Sequence, residues 1–128
     1  MPGTYTIDEE NNLIQVKYVG TITVSEEMAI INTIIADPKF RTGMNSISDL
    51  TEAIFSWNLN DIDLFRAYVG TIMNTAGKCK WALVSQGGIT AATAKIFMIL
   101  HEIYAGLIRV KLFSNRSDAS EWINSAAD

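Results

Sequence analysis

The chain has 128 residues, 48% of them hydrophobic and 19% charged, with a formal net charge of −4. That length buries roughly two-thirds of its unfolded surface without disulfide or metal staples, and the composition is that of a globular rather than a disordered chain. An acidic body whose cations are scattered, the densest groups being Lys78 with Lys80 and Arg109 with Lys111, is not built to sit on nucleic-acid phosphates or on an anionic membrane surface.

Thr4 to Asp8 alternates Tyr5 and Ile7 with threonines, and Leu13 to Val19 sets Ile14, Val16 and Tyr18 against Gln15 and Lys17. Two alternating runs around the polar Glu9-Glu10-Asn11-Asn12 predict an antiparallel hairpin. Ser25 is the expected N-cap of a first helix, with Glu26 and Glu27 at the positive end of its dipole. Its stripe of Met28, Ile31 and Ile35, joined by Ile30 and Ile34, stops before Asp37-Pro38.

A third strand is expected from Asn45 to Asp49, leaving through Asp49-Leu50-Thr51 into a loop that carries Ile54, Phe55 and Trp57. Asn60 or Asp61 is then the expected cap of a second helix, in which Ile62, Phe65, Val69, Ile72, Met73 and Ala76 follow the 3.6-residue period up to Gly77. Cys79 to Ser85 reads as a fourth strand and Gln86-Gly87-Gly88 as a tight loop. A third helix is expected from Thr90 to Ala105, with an apolar arc that takes in Phe97 and Tyr104 and exceeds what one core face needs. Arg109 to Phe113 is a fifth strand, and Ser117 the expected cap of a closing helix that packs Trp122 and Ile123.

This order predicts one α/β domain over residues 1–128. Its mixed five-stranded sheet has an N-terminal antiparallel hairpin and then parallel strands joined by helices. The first, second and fifth strands alternate apolar with polar, so the helices should lie mainly on one face and leave the other partly open. The single cysteine, Cys79, excludes an internal disulfide and fits a reducing compartment. The start lacks a signal peptide and no apolar run approaches the ~20 residues of a membrane helix, which points to the cytoplasm.

Loops at the C-terminal ends of parallel strands are where ligands are usually met. Asp49, Thr51, Phe55, Trp57, Asn58 and Asn60 on the central loop are therefore candidate partner- or ligand-binding residues, joined by Gly88 and Thr90 at the third helix start and by Phe97 and Tyr104 on its apolar arc. Trp57, placed off any helical or strand stripe, leans toward recognition. Catalytic chemistry is not indicated. His101, the only histidine, falls on the polar side of its helix, and Cys79 has no partner base. Asp49 reads as a cap for loop amides rather than a metal ligand. Gly87-Gly88 lacks the phosphate-loop lysine and the full dinucleotide fingerprint. No metal or cofactor is expected.

The opening Tyr5 to Gly20 hairpin, the stretch Ile47-Ser48-Asp49-Leu50-Thr51, and Val110-Lys111-Leu112-Phe113 followed by Ser117 to Ile123 together resemble the STAS-like family, the fold of anti-sigma factor antagonists and of the cytoplasmic domains of sulfate transporters. The resemblance implies a non-catalytic regulatory module that acts by protein contact. The wide apolar arc of the third helix, with Phe97 and Tyr104, separately makes a homodimer through that helix the expected assembly. The phosphorylatable Asp-Ser-Ser/Thr-Gly motif of the antagonists corresponds here to Trp57-Asn58-Leu59-Asn60-Asp61, which has neither the hydroxyl residue nor the glycine. Control by phosphate at that helix start is thus not expected. A small apolar ligand or lipid, held between the central loop and the third helix, is the alternative use.

Overall fold

A computed structural model describes residues 2–103 and 106–126. The elements are β1 (Gly3–Asp8), β2 (Leu13–Thr21), α1 (Val24–Ala36), β3 (Asn45–Ile54), α2 (Leu59–Ala76), β4 (Cys79–Val84), α3 (Gly88–Ile103), β5 (Ile108–Phe113) and α4 (Arg116–Asn124). They form one sheet in the order β1-β2-β3-β4-β5, with β1 antiparallel to β2 and every other pair parallel.

The order explains the layering. Each parallel strand is laid beside the one before it, and crossovers of one hand then put α1, α2 and α3 on the same side. Ile14, Val16 and Tyr18 of β2 and Leu50 of β3 face that side, where they pack with Ile30 and Ile34 of α1. Ile62, Phe65 and Val69 of α2 join Phe97 of α3 and Ile108 of β5 in an adjoining cluster. The opposite side is covered only by α4, whose Ala119 and Trp122 pack on Ile47, Ala82 and Val84. Beyond α4, Lys17 lies exposed on the open part of that face.

Several boundaries differ from the expected ones, each for a local reason. Asp49-Leu50-Thr51 is not a strand exit but an irregularity within β3, which continues to Ile54. Lys17 pairs with Asp49 and Val19 with Glu52, so β3 carries one residue more than β2 at this point. The Asp49 carboxylate accepts from the Thr51 amide at 3.0 Å and from its hydroxyl at 2.6 Å. The added residue shifts the alternation so that Leu50, Ala53 and Phe55 all become buried.

The helix caps lie two or three residues ahead of those expected. Thr23, not Ser25, caps α1 in a capping box with Glu26. Asn58, not Asn60 or Asp61, caps α2 in a box with Asp61, and Asn115, not Ser117, caps α4. In each case the short polar side chain accepts from the amide three residues on, which is the geometry a cap requires. Gly77 closes α2 as expected, at φ 74° with Thr42 and Gly43 pressed against it, which leaves no room for a side chain.

Candidate functional site

Between the inner face of the sheet and the three helices lies a cavity of about 110 Å³, lined largely by apolar side chains from all of these elements. Its origin is visible in β3. Ile47 turns toward α4, and the residues on either side of it, which β3 offers to the thick helical layer ahead of Leu50, are Ser46 and Ser48. Side chains that short, under α1 and α2, leave a layer unfilled where a Val or Ile would have closed it.

Aromatic rings build one side of the cavity. Tyr18 meets Phe55 edge-on at 5.4 Å, Phe55 meets Trp57 at 5.4 Å, Trp57 meets Phe65 at 5.3 Å, and Phe65 meets Phe97 at 5.1 Å. Edge and tilted contacts of this kind are individually favourable and hold the rings in place. The Trp57 indole N–H donates to the Ile22 carbonyl at 2.9 Å. Trp57 packs against the clusters over β2–β3 and over α2–α3 alike, so it joins two parts of the core rather than standing on a loop surface.

The Phe55 backbone is pinned from α3. The Thr90 hydroxyl accepts from the Phe55 amide at 3.1 Å and donates to the Ala53 carbonyl at 3.0 Å, and the Thr93 hydroxyl donates to the Phe55 carbonyl at 2.6 Å. These bonds satisfy backbone groups at the end of β3, which has run out of ladder partners.

The polar centre of the cavity is Glu27, on the first turns of α1. It is 7% exposed, lines the cavity, and its Oε1 accepts from the Tyr18 hydroxyl at 2.5 Å. Burial outweighs that bond and raises the carboxyl from 4.5 to about 7, because the charged form loses its water. The Tyr18 phenol is pushed well above its ordinary range by the same burial and by the adjacent carboxylate.

Of the ten residues singled out in the sequence, Phe55, Trp57, Thr90 and Phe97 line this cavity. Asp49 and Thr51 do not; Asp49 pairs with Lys17 at 3.5 Å outside it. Burial acts to raise the Asp49 carboxyl, but the bonds from Thr51 and the Lys17 charge outweigh it and hold it below the usual range. Asn58 is spent on its cap, Asn60 is exposed in the first turn of α2, and Gly88 is exposed at φ 70°. Phe97 is buried at 5% rather than part of an outward arc, and Tyr104 lies outside the described residues.

Two further expectations are corrected or extended. His101 is not a surface residue: it is 6% exposed, stacks on Phe97 at 5.5 Å, and sets Nε2 2.8 Å from the Ile108 carbonyl. Cys79 is buried, and desolvation raises its thiol to about 11, which leaves it a poor nucleophile. A second depression, of about 320 Å³, between α3 and β5 is rimmed by exposed Glu102, Arg109 and Lys111. No group of three or more His, Cys, Asp or Glu able to hold a metal occurs among the described residues.

Glu27, Tyr18, Ser46, Ser48 and Thr93 were not anticipated. Glu27 did leave a signal: it stands three, four and seven residues before Ile30, Ile31 and Ile34, on the apolar stripe itself, where a dipole partner has no need to be.

Neither a family model nor any curated protein matches the sequence. The structure is similar to the crystal structure of a DUF3478 family protein from Shewanella loihica PV-4, which is described as having a SpoIIAA-like fold. The two share 16% identity over 94% of this chain and 93% of that one, with a TM-score of 0.58. At that identity the likeness speaks to architecture alone. No helix among the described residues is long and apolar enough to cross a membrane. The chain has a SpoIIAA-like, and hence STAS-like, fold.

Proposed function

We propose that this STAS-type module is non-catalytic and binds a small, largely apolar molecule in the cavity between its sheet and α1–α3. The observation that carries this reading is the cavity itself: about 110 Å³ of space where a settled core would have been filled to crystal-like density. An engineered apolar cavity of about 150 Å³ takes up benzene, so the occupant is of single-ring or short branched size unless α1 and α2 part. The one carboxyl there, Glu27, accepts from the Tyr18 hydroxyl and from no serine, threonine or cysteine among the described residues, and the absent hydroxyl at the start of α2 argues against a phosphate switch. The test is mass spectrometry of an organic extract of the protein purified from its own cells, run beside Ala94→Phe, whose ring would fill the space. A molecule retained by the wild type and lost from the variant is expected; an empty extract together with identical melting of both proteins would sink the reading.

One observation favours a second use. Ile89, Ile96, Ile99 and Ile103 form an exposed stripe on α3, 55%, 38%, 63% and 69% exposed, and stripes of this kind mark association surfaces. This stripe replaces the buried Phe97 as the basis for self-association with a second copy. Sedimentation at tens of micromolar (the range in which a weak dimer persists, roughly) should give a dimer that Ile99→Glu abolishes; a wild-type monomer would end the idea.

A further inference from the structure

The cavity has one polar feature that hydrophobic packing does not require. Glu27 is 7% exposed, and Tyr18 is its only hydrogen-bond partner among the described residues, through Oε1. The ion pairs among those residues use Asp49, Glu52, Glu9 and Asp63, so no cation among the described residues pairs with this carboxyl. Thr90 and Thr93 are occupied with the backbone of β3. Oε2 is therefore left to face whatever occupies the space that Glu27 lines. Trp122 Nε1 is the one side-chain polar atom fully enclosed without a partner among the described residues, so Oε2 keeps some accessible surface. A donor that reaches it in this largely desolvated site gains a hydrogen bond where little water is left to supply one.

We infer that the cavity takes an uncharged molecule of about one-ring size whose hydroxyl donates to Glu27 Oε2. This rests on the cavity being a binding site, as proposed above, and adds the chemistry of the ligand. Three considerations select it. Tyr18 already shows the carboxyl accepting from a phenolic hydroxyl at 2.5 Å, and the second oxygen suits the same donor. An ammonium brings three N–H groups that must all be met after shedding water, whereas the walls are mostly hydrocarbon and aromatic ring. An anion would face the carboxyl directly. A hydroxyl has one proton to place, and the surrounding Phe55, Trp57 and Phe97 rings accept the apolar body.

Calorimetric titration with toluene, phenol, benzylamine and benzoate at pH 8 tests this, because toluene and phenol have nearly the same shape. Phenol is expected to bind about tenfold tighter than toluene or more, the worth of a hydrogen bond to a charged group. Benzylamine and benzoate should bind more weakly than phenol. Ala94→Phe should abolish both toluene and phenol binding, which places them in the cavity. Glu27→Leu should keep toluene and reduce phenol to its level. If toluene and phenol bind the wild-type cavity equally, the hydroxyl assignment is overturned while the cavity site stands. If benzylamine binds tightest, the ligand is an ammonium and the inference is wrong. If none of the four binds, both the inference and the site fall. The wild-type selectivity alone decides the matter should Glu27→Leu not fold.

Discussion

The two faces of the sheet are built on opposite terms. Toward α4 the strands present Ile47, Ala82 and Val84, and Ala82 and Ala119 are fully enclosed at 0% exposure. Lys80 reaches across to the end of the helix, donating to the Trp122 and Ser125 carbonyls at 2.9 and 2.7 Å, where a cation satisfies the last carbonyls. Toward α1–α3 the same central strand presents Ser46 and Ser48, a carboxyl is buried, and space remains. One short helix thus packs tightly on the part of the face it covers, while three longer ones leave theirs unfilled. Covering area does not decide packing; the volumes of the residues that meet between the layers do.

Truncating a tryptophan on each face gives the largest expected effects. Trp122→Ala should cost ~3–5 kcal/mol of stability by denaturant melt, since its ring is tilted against Phe113 at 5.7 Å and lies under Lys80 and Lys111. Trp57→Ala should cost about 3 kcal/mol, because it removes the joint between two clusters and the bond to Ile22. A loss below ~1 kcal/mol at Trp57, within the range of ordinary surface changes, would return that residue to a recognition role and break the account of the cavity wall.

What the sequence disclosed follows from where its signals are local. The alternation in β1, β2 and β5 and the period of Ile62, Phe65 and Val69 reproduce the element order and the sheet, because backbone pattern and burial agree there. The expected site did not survive in the same form. It was placed on a loop by the rule for sheets whose strand order reverses, but this sheet runs β1 to β5 without a reversal and offers no such crevice. The irregularity at Asp49 to Thr51 carries the strand on to Ile54 and turns Phe55 inward, an outcome that depends on the partner strand and cannot be read from β3 alone. In Ser46-Ile47-Ser48, period-two alternation says that Ile47 and the serines face opposite ways, but not which side holds three helices. The burial of His101 is not legible in its own helix for a related reason: its carbonyl partner, Ile108, lies on the next strand.

Glu27 sharpens the comparison, since its carboxyl belongs only to the loose face. Raised from 4.5 to about 7, it keeps its proton in the folded state over a range where the unfolded chain has released it. The folded state then binds more protons, so stability is greatest below about pH 4.5 and falls as pH rises through about 7. The loss is on the order of 3 kcal/mol for a shift of that size. Asp37 and Asp49 shift downward and act in the opposite sense, but near and below pH 4. Urea melts between pH 5 and 8, with Glu27→Gln run beside the wild type, isolate Glu27. The wild type should weaken across that window and Glu27→Gln should stay nearly flat; parallel curves would mean that the carboxyl is not held in a desolvated site.

The smallest effect discriminates best between the faces, because the same kind of change should have opposite signs. Ser48→Val adds hydrocarbon where β3 looks into about 110 Å³ of free space. It should be neutral or stabilise by up to ~1 kcal/mol, as one or two added methyl groups gain burial at no cost in strain. Ala82→Val makes a comparable addition one strand away on the opposite side. There Ala82 is at 0% exposure, packed in one cluster with Ala119 and Trp122, and the added methyls must displace the helix or adopt strained rotamers, at ~1–3 kcal/mol. The two substitutions sit on paired strands and differ little in propensity, so the difference between their melts reports packing rather than backbone preference. If Ser48→Val destabilises as much as Ala82→Val, the helical face is as full as the other, and the cavity offers no room for a ligand.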